Sequence, residues 1–178
     1  MANVLVIIDM QRDFIDGSLG SPEAAAIVPA VVRKIHQRLS EGWDIAVTLD
    51  THGDDYLETQ EGRKLPVAHC IKDSPGWGLS PDVKDALVNI VYRCFEKPTF
   101  GSESLIAYLK DKQPEQVEFV GLCTDICVVS NAIGAKMVLL DAEFSVDAAC
   151  CAGTSPDNHQ AALKTMACCQ ISIVQGVL

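Results

Sequence analysis

The chain has 178 residues, 48% of them hydrophobic, and a formal net charge of −10. That length suits one domain able to bury a core without disulfides, and the acidity excludes a nucleic-acid or anionic-membrane partner, both of which need a basic face. No apolar run reaches the roughly 18 residues of a membrane span and no signal peptide is read, so a cytosolic protein with its eight cysteines reduced is expected. Short apolar runs then alternate with helix-like stretches, the pattern of a parallel sheet covered by helices on both faces. The first run, Val4–Ile8, is continuous and rich in β-branched residues, as a strand buried on both faces should be. Ser21-Pro22-Glu23 opens a helix, with a capping serine, a proline at the first position and an acid in the first turn. Ile27, Val28, Val31, Ile35 and Leu39 keep its apolar period, and Gly42 ends it. Residues 45–49 make a second strand. The polar segment 50–80 is longer than an ordinary connection and of the kind that carries function. A short helix starts at Ser80-Pro81, followed by a strand at 90–95, a helix at 102–110 and a strand at 116–120. A helix from 125 to about 140, a strand at 144–148, a helix capped by Ser155-Pro156-Asp157 and ending near Cys168 or Cys169, and a strand at 171–174 complete the chain. The expected fold is α/β: one domain over residues 1–178, three layers (α/β/α) around a six-stranded, mainly parallel sheet.

The cysteines form no paired C-x-x-C units, so a structural zinc knuckle is not expected. The vicinal pairs Cys150-Cys151 and Cys168-Cys169 stand in apolar company and read as buried small hydrophobes.

In an open α/β sheet reactive groups gather at the carboxyl ends of the strands. Asp9 ends the first strand, Asp50 the second, and Gly121-Leu122-Cys123-Thr124-Asp125-Ile126-Cys127 joins a later strand to its helix. A cysteine in a first helical turn feels the positive end of the helix dipole, which favours thiolate, and the unsatisfied N–H groups there can hold an oxyanion; the plainer reading of such a cysteine is a core residue. Asp9 could cap a helix or pair with a base. Phosphatases of the haloacid-dehalogenase kind also begin with a strand and an Asp, but need a second Asp two residues on, where this chain has Gln11. Lys97, between a strand and Pro98, is solvated in most such settings. Asp50, His52, Glu61 and His69 sit on one loop; two imidazoles and one or two carboxylates suit Zn²⁺, Fe²⁺ or Mn²⁺, and a solvated loop is the alternative.

Together these features resemble the isochorismatase-like cysteine hydrolases, and within them the nicotinamidases (pyrazinamidases), nearly end to end. The resemblance rests on Ile8-Asp9-Met10-Gln11-Arg12-Asp13-Phe14, Asp50-Thr51-His52, Leu65-Pro66-Val67-Ala68-His69-Cys70, Lys97, and Gly121 through Val128, in order and spacing. It implies a Rossmann-like sheet topology and a catalytic triad of Asp9, Lys97 and Cys127. It implies one divalent metal ion, zinc ahead of iron or manganese, on Asp50, His52, His69 and Glu61. It implies an oxyanion hole from the N–H groups of Cys123 and Cys127, a cis peptide at Leu122–Cys123, and Phe14 stacked on the substrate ring. The implied reaction is hydrolysis of nicotinamide to nicotinate and ammonia through a thioester. The partner is then a small-molecule amide, and a homo-oligomer follows by analogy.

The chain also departs from the pattern. Pro66 stands where many nicotinamidases have an aromatic, three residues before the last metal histidine. Lys72 through Trp77 replaces a glycine-threonine start, and Trp77 reads as a packing anchor, with a substrate wall as the alternative. Another small amide or carbamoyl compound is therefore a second expectation. A non-catalytic binding or redox protein using Cys123 and Cys127 as a thiol pair is the third.

Overall fold

A computed structural model describes residues 3–176; residues 1, 2, 177 and 178, the ends of the expected domain, lie outside the described residues. Strand β1 (Val4–Ile8) is fully buried and leads through a four-residue helix, α1 (Arg12–Ile15), that periodicity does not reveal. Helix α2 (Pro22–Ser40) starts as its sequence dictates, with Ser21 Oγ accepting from Ala24 N at 3.0 Å and Pro22 in the first turn. It buries Ile27, Val28, Val31 and Ile35 and stops before Gly42, whose φ of +77° is a backbone state natural to glycine. Strand β2 (Asp44–Asp50) follows. The segment 50–80 is less irregular than expected, holding a 3₁₀ turn (Tyr56–Glu58) and α3 (Gln60–Lys64), capped by Thr59. Next come α4 (Pro81–Ala86), β3 (Tyr92–Lys97), α5 (Glu103–Lys112) and β4 (Gln116–Leu122). The chain closes with α6 (Val129–Val138), β5 (Glu143–Ala152), α7 (Pro156–Cys168) and β6 (Ser172–Val174).

The six strands form one sheet in the order β3-β2-β1-β4-β5-β6, with every neighbouring pair parallel. Successive side chains of β1 feed opposite layers. Leu5 and Ile7 join α2 and α4, and Val4, Val6 and Ile8 join α5, α6 and α7. The chain runs outward from β1 in one direction and from β4 in the other, so the switch point lies between them, where the carboxyl ends open a crevice. Gly121 makes this junction possible. Its φ is +118°, and a Cβ there would stand 2.1 Å from the Ile8 carbonyl oxygen across the ladder. Among the described residues no helix is long and apolar enough to cross a membrane.

Some boundaries differ from the sequence reading. Strand β3 starts at Tyr92, not residue 90, and as an edge strand leaves most of its side chains exposed. Strand β5 continues past residue 148 to Ala152 because a register shift between Phe119 and Gly121 lets it pair again. Cys150 and Cys151 are buried as expected, but Cys168 is exposed and Cys169 half-buried. Helix α7 turns Ala162, Leu163 and Met166 inward, and the helical period then carries Cys168 off that face.

One buried feature has no sequence signal. Lys34 Nζ of α2 lies 3.1 Å from Glu118 Oε1 in β4 and 2.8 Å from Asp147 Oδ2 in β5, and Arg38 Nε lies 2.6 Å from Glu118 Oε2. Both carboxylates are wholly buried. The cluster ties α2 across two strands, and each charge depends on its partners for lack of water.

Candidate active site

The crevice collects groups from four strand ends. Asp9 follows β1 with φ +46°, and its N–H faces Thr48 at the end of β2. The Thr48 hydroxyl donates to Asp9 Oδ1 at 2.6 Å. Parallel register sets Asp50 beside Lys97, the last residues of β2 and β3. Lys97 is therefore not the solvated lysine of the plainer reading; it is 1% exposed. Its Nζ lies 2.7 Å from Asp9 Oδ2, 3.1 Å from Asp50 Oδ1 and 3.0 Å from the Thr99 carbonyl. It also lies 3.5 Å from Cys127 Sγ. The expected Asp9, Lys97 and Cys127 thus converge.

The electrostatics differ from expectation at the cysteine. Burial and the Asp9 charge push the Cys127 thiol well above its ordinary range, against the pull of Lys97. Desolvation thus works against the thiolate that a helix start favours, with Lys97 the group that opposes it. Burial likewise raises the Asp9 carboxyl against Lys97. Burial lowers Lys97, but Asp9, Cys127 and Asp50 outweigh it and hold the ammonium above its usual range. The backbone here is also not a plain α-helical start. Thr124–Val128 forms a π turn, with Val128 N–H donating to the Cys123 carbonyl at 3.1 Å, and the Leu122–Cys123 peptide is cis.

Asp50 joins this trio to a second group. Its Oδ2 lies 3.1 Å from His52 Nε2 and 3.4 Å from His69 Nε2. Donor atoms of all three buried residues lie within 4.8 Å of one another. His69 Nδ1 donates to the Val67 carbonyl at 2.8 Å, which orients the ring with Nε2 facing Asp50. Two imidazoles and a carboxylate so arranged fit a divalent cation. Burial raises the Asp50 carboxyl, but His52, His69 and Lys97 outweigh it and hold it well below its ordinary value. Burial lowers His69, but Asp50 and the Val67 carbonyl lift it above its ordinary value. Glu61, on α3, stands apart from this three-residue cluster, with Oε1 3.9 Å from His52 Nε2.

The opening motif holds the cluster in place. Gln11 is wholly buried and grips Asp50 from both sides: its Nε2 donates to the Asp50 carbonyl and its Oε1 accepts from Asp50 N, each at 2.8 Å. Asp13 Oδ2 accepts from Cys70 N at 2.7 Å, beside His69. The opening motif shows in the sequence, but that Gln11 and Asp13 brace Asp50 and the backbone beside His69 is visible only in the fold.

A cavity of about 470 Å³ opens over both groups, with Phe14, Asp50, Glu61, His69, Cys123 and Cys127 on its walls. Phe14 lies 5.6 Å from His69, ring to ring. Leu65, Phe100 and Ile126 add apolar walls that the sequence reading missed. Their signals were position alone: Leu65 adjoins Pro66, and Phe100 comes three residues after Lys97. Trp77 does not line the cavity. Its indole N–H donates to Thr51 Oγ1 at 2.8 Å and it packs on the core, so it is an anchor.

The chain is similar to known proteins over nearly its whole length. The Isochorismatase domain family model matches residues 3–175. Nicotinamidase/pyrazinamidase of Mycobacterium tuberculosis is 28% identical over 96% of this chain and 97% of its own. Pyrazinamidase of Pyrococcus horikoshii, solved in complex with zinc, is 26% identical and superposes with a TM-score of 0.81 over 99% of this chain and 100% of that one. Pyrazinamidase/nicotinamidase of Streptococcus mutans is 28% identical with a TM-score of 0.85 over 97% and 100%.

Proposed function

The chain belongs to the isochorismatase family, and from that premise we propose that it is a cysteine-dependent amidohydrolase whose substrate is nicotinamide. The observation that carries this reading is the buried Lys97 ammonium, 2.7 Å from Asp9 and 3.5 Å from the Sγ of Cys127, which lines a cavity together with Asp50 and His69. The names of the relatives support the substrate.

Burial favours the Cys127 thiol over the thiolate, so its proton leaves as it attacks. Sγ bonds to the amide carbon while Asp9 takes the proton. Lys97 stabilises the sulfur and keeps Asp9 ionised beside it. The N–H groups of Cys123 and Cys127 hold the oxyanion. The C–N bond breaks as Asp9 returns the proton to the leaving ammonia. A water then attacks the thioester with Asp9 again as base, releasing nicotinate and the Cys127 thiol. Phe14 stacks on the ring. Asp50, His52 and His69, with Glu61 beside them, would hold a divalent cation, zinc ahead of iron or manganese. Bound there, such an ion would supply Lewis-acid chemistry toward a ring nitrogen, which would orient the amide.

The reading includes a cytosolic enzyme acting as one domain on a small-molecule amide, and as a homo-oligomer by analogy. A second reading, another small amide or carbamoyl compound at the same trio, is favoured by Pro66 where the pattern has an aromatic. Ammonia release from nicotinamide, with and without a chelator and beside Cys127→Ala, tests both. Release that needs the metal and Cys127 supports the first. Release only from other amides, insensitive to chelation, supports the second. A protein inert toward every amide would sink both.

A further inference from the structure

The turn that carries Cys127 is fastened from outside by the next β–α connection. Thr124, the first residue of the π turn, is wholly buried, and its hydroxyl lies 2.8 Å from His159 Nδ1 on α7. Its neighbour Asp125 accepts from Thr154 twice, from the backbone N–H at 2.8 Å and from the hydroxyl at 2.5 Å. Gly153 closes the space between: a Cβ there would stand 2.8 Å from both Asp125 Oδ1 and His159 N. Gly153 and Thr154 also line the cavity beside Cys123 and Cys127. A π turn is an uncommon backbone state, found mostly where function requires it. Here it sets the direction of a side chain whose chemistry depends on aim. A buried hydroxyl also needs its partner, and His159 is the one hydrogen-bond partner of the Thr124 side chain among the described residues. Burial pushes the His159 imidazole below its ordinary value, against the pull of Asp125, so the ring is neutral and can serve through either tautomer.

We propose that His159 is a positioning residue of this site: through Thr124 it holds the π turn in the orientation that aims Cys127 Sγ and the adjacent N–H groups into the cavity. The predicted effect on rate rests on the hydrolase reading; the fastening itself does not. Removing the imidazole strands the Thr124 hydroxyl and frees the turn to shift. A displaced nucleophile loses rate, while affinity, set by the cavity walls and the Asp50 cluster, stays.

The test uses the full chain as parent, His159→Ala, His159→Asn, Thr124→Val and the Thr124→Val/His159→Ala double variant. Asn keeps a polar atom near the place of Nδ1. Hydrogen exchange read by mass spectrometry over residues 122–129 reports the turn, and kcat and KM for ammonia release report the chemistry. His159→Ala is expected to raise exchange in the turn roughly five- to tenfold, what the loss of one buried hydrogen bond produces, with β1 and α2 unchanged. It lowers kcat roughly tenfold and leaves KM within about twofold. His159→Asn recovers most of both, Thr124→Val reproduces the loss, and the double variant adds nothing to it. Parent values in His159→Ala, an Asn variant as damaged as Ala, or independent losses in the double variant would overturn the proposal. Should His159→Ala fail to fold, His159→Asn near the parent beside an impaired Thr124→Val sustains it, and both at parent values overturns it. A parent inert toward amides would sink the hydrolase reading alone, and the exchange measurement would still decide the role of His159.

Discussion

Replacing Lys97 by Met is the sharpest test of the charge arrangement. The substitution keeps a similar volume but removes the cation that faces Asp9 at 2.7 Å and Asp50 at 3.1 Å. Both carboxylates are buried, at 0% and 4% exposure, so no water replaces the ammonium. Breaking a buried pair by removing one partner costs about 3–5 kcal/mol, which at a urea slope of about 2 kcal/mol/M moves the unfolding midpoint down by about 2 M. The cost depends on pH. Burial and Asp50 already raise the Asp9 carboxyl, with Lys97 opposing. Without Lys97 the pKa rises further, so Asp9 is protonated and harmless at low pH. The folded-state pKa then lies above the unfolded one, and stability is lost as pH rises through it. The deficit of Lys97→Met should therefore be small near pH 5 and large near pH 8. Adding Asp9→Asn removes the stranded charge and should recover about half the loss or more at pH 8, while ammonia release stays at least about 100-fold below the parent. Urea unfolding at the two pH values, followed by tryptophan fluorescence, measures this. A single variant within about 1 kcal/mol of the parent at pH 8, or a double variant no more stable than the single, would refute the arrangement.

Gln11→Ala removes both contacts to the Asp50 backbone, and metal affinity read by competition with a chromophoric chelator should fall about 10- to 100-fold. Lys34→Met removes the cation shared by buried Glu118 and Asp147, leaving Glu118 to Arg38 and Asp147 to two backbone N–H groups, and should cost about 3 kcal/mol in denaturant unfolding. The Lys34–Asp147 contribution in the parent has two edges. Asp147 is held below its ordinary 3.8, after burial is outweighed by Lys34 and two backbone N–H groups, so its share is complete above 3.8 and lost as pH falls through the depressed value. Lys34 is held above its ordinary 10.5, its carboxylate partners outweighing burial, so its share is complete below 10.5 and lost as pH rises through the raised value. A parent–variant gap that stays constant from pH 2 to 12 would contradict this. Gly121→Ala forces a Cβ into the Ile8 carbonyl at a φ of +118°, and thermal unfolding should show a loss of about 3 kcal/mol or more.

Much of this protein is determined by the sequence alone. Val4–Ile8 is a strand because a continuous β-branched run fits only a pleat buried on both faces. Ser21, Ser102 and Ser155 start helices because their hydroxyls accept from the N–H three residues on, as each does. These signals are local, and so is the placing of Asp9, Asp50, Lys97 and the turn before Cys127 at strand ends. The tertiary structure alone decided what those residues meet. Apart from the family resemblance, the neighbours of Lys97 in the chain suit a solvated lysine, because nothing near it shows that β2–β3 register sets it against Asp50 and, through β1, against Asp9. The upward push on the Cys127 thiol follows from burial, a property of the assembled layers and not of any motif. Gln11 reaches Asp50 across 39 positions, His159 reaches Thr124 across 35 and Lys34 reaches Glu118 across 84. Contacts at such separations depend on sheet order and strand register, because a side chain's partners and its access to water exist only after the strands have paired.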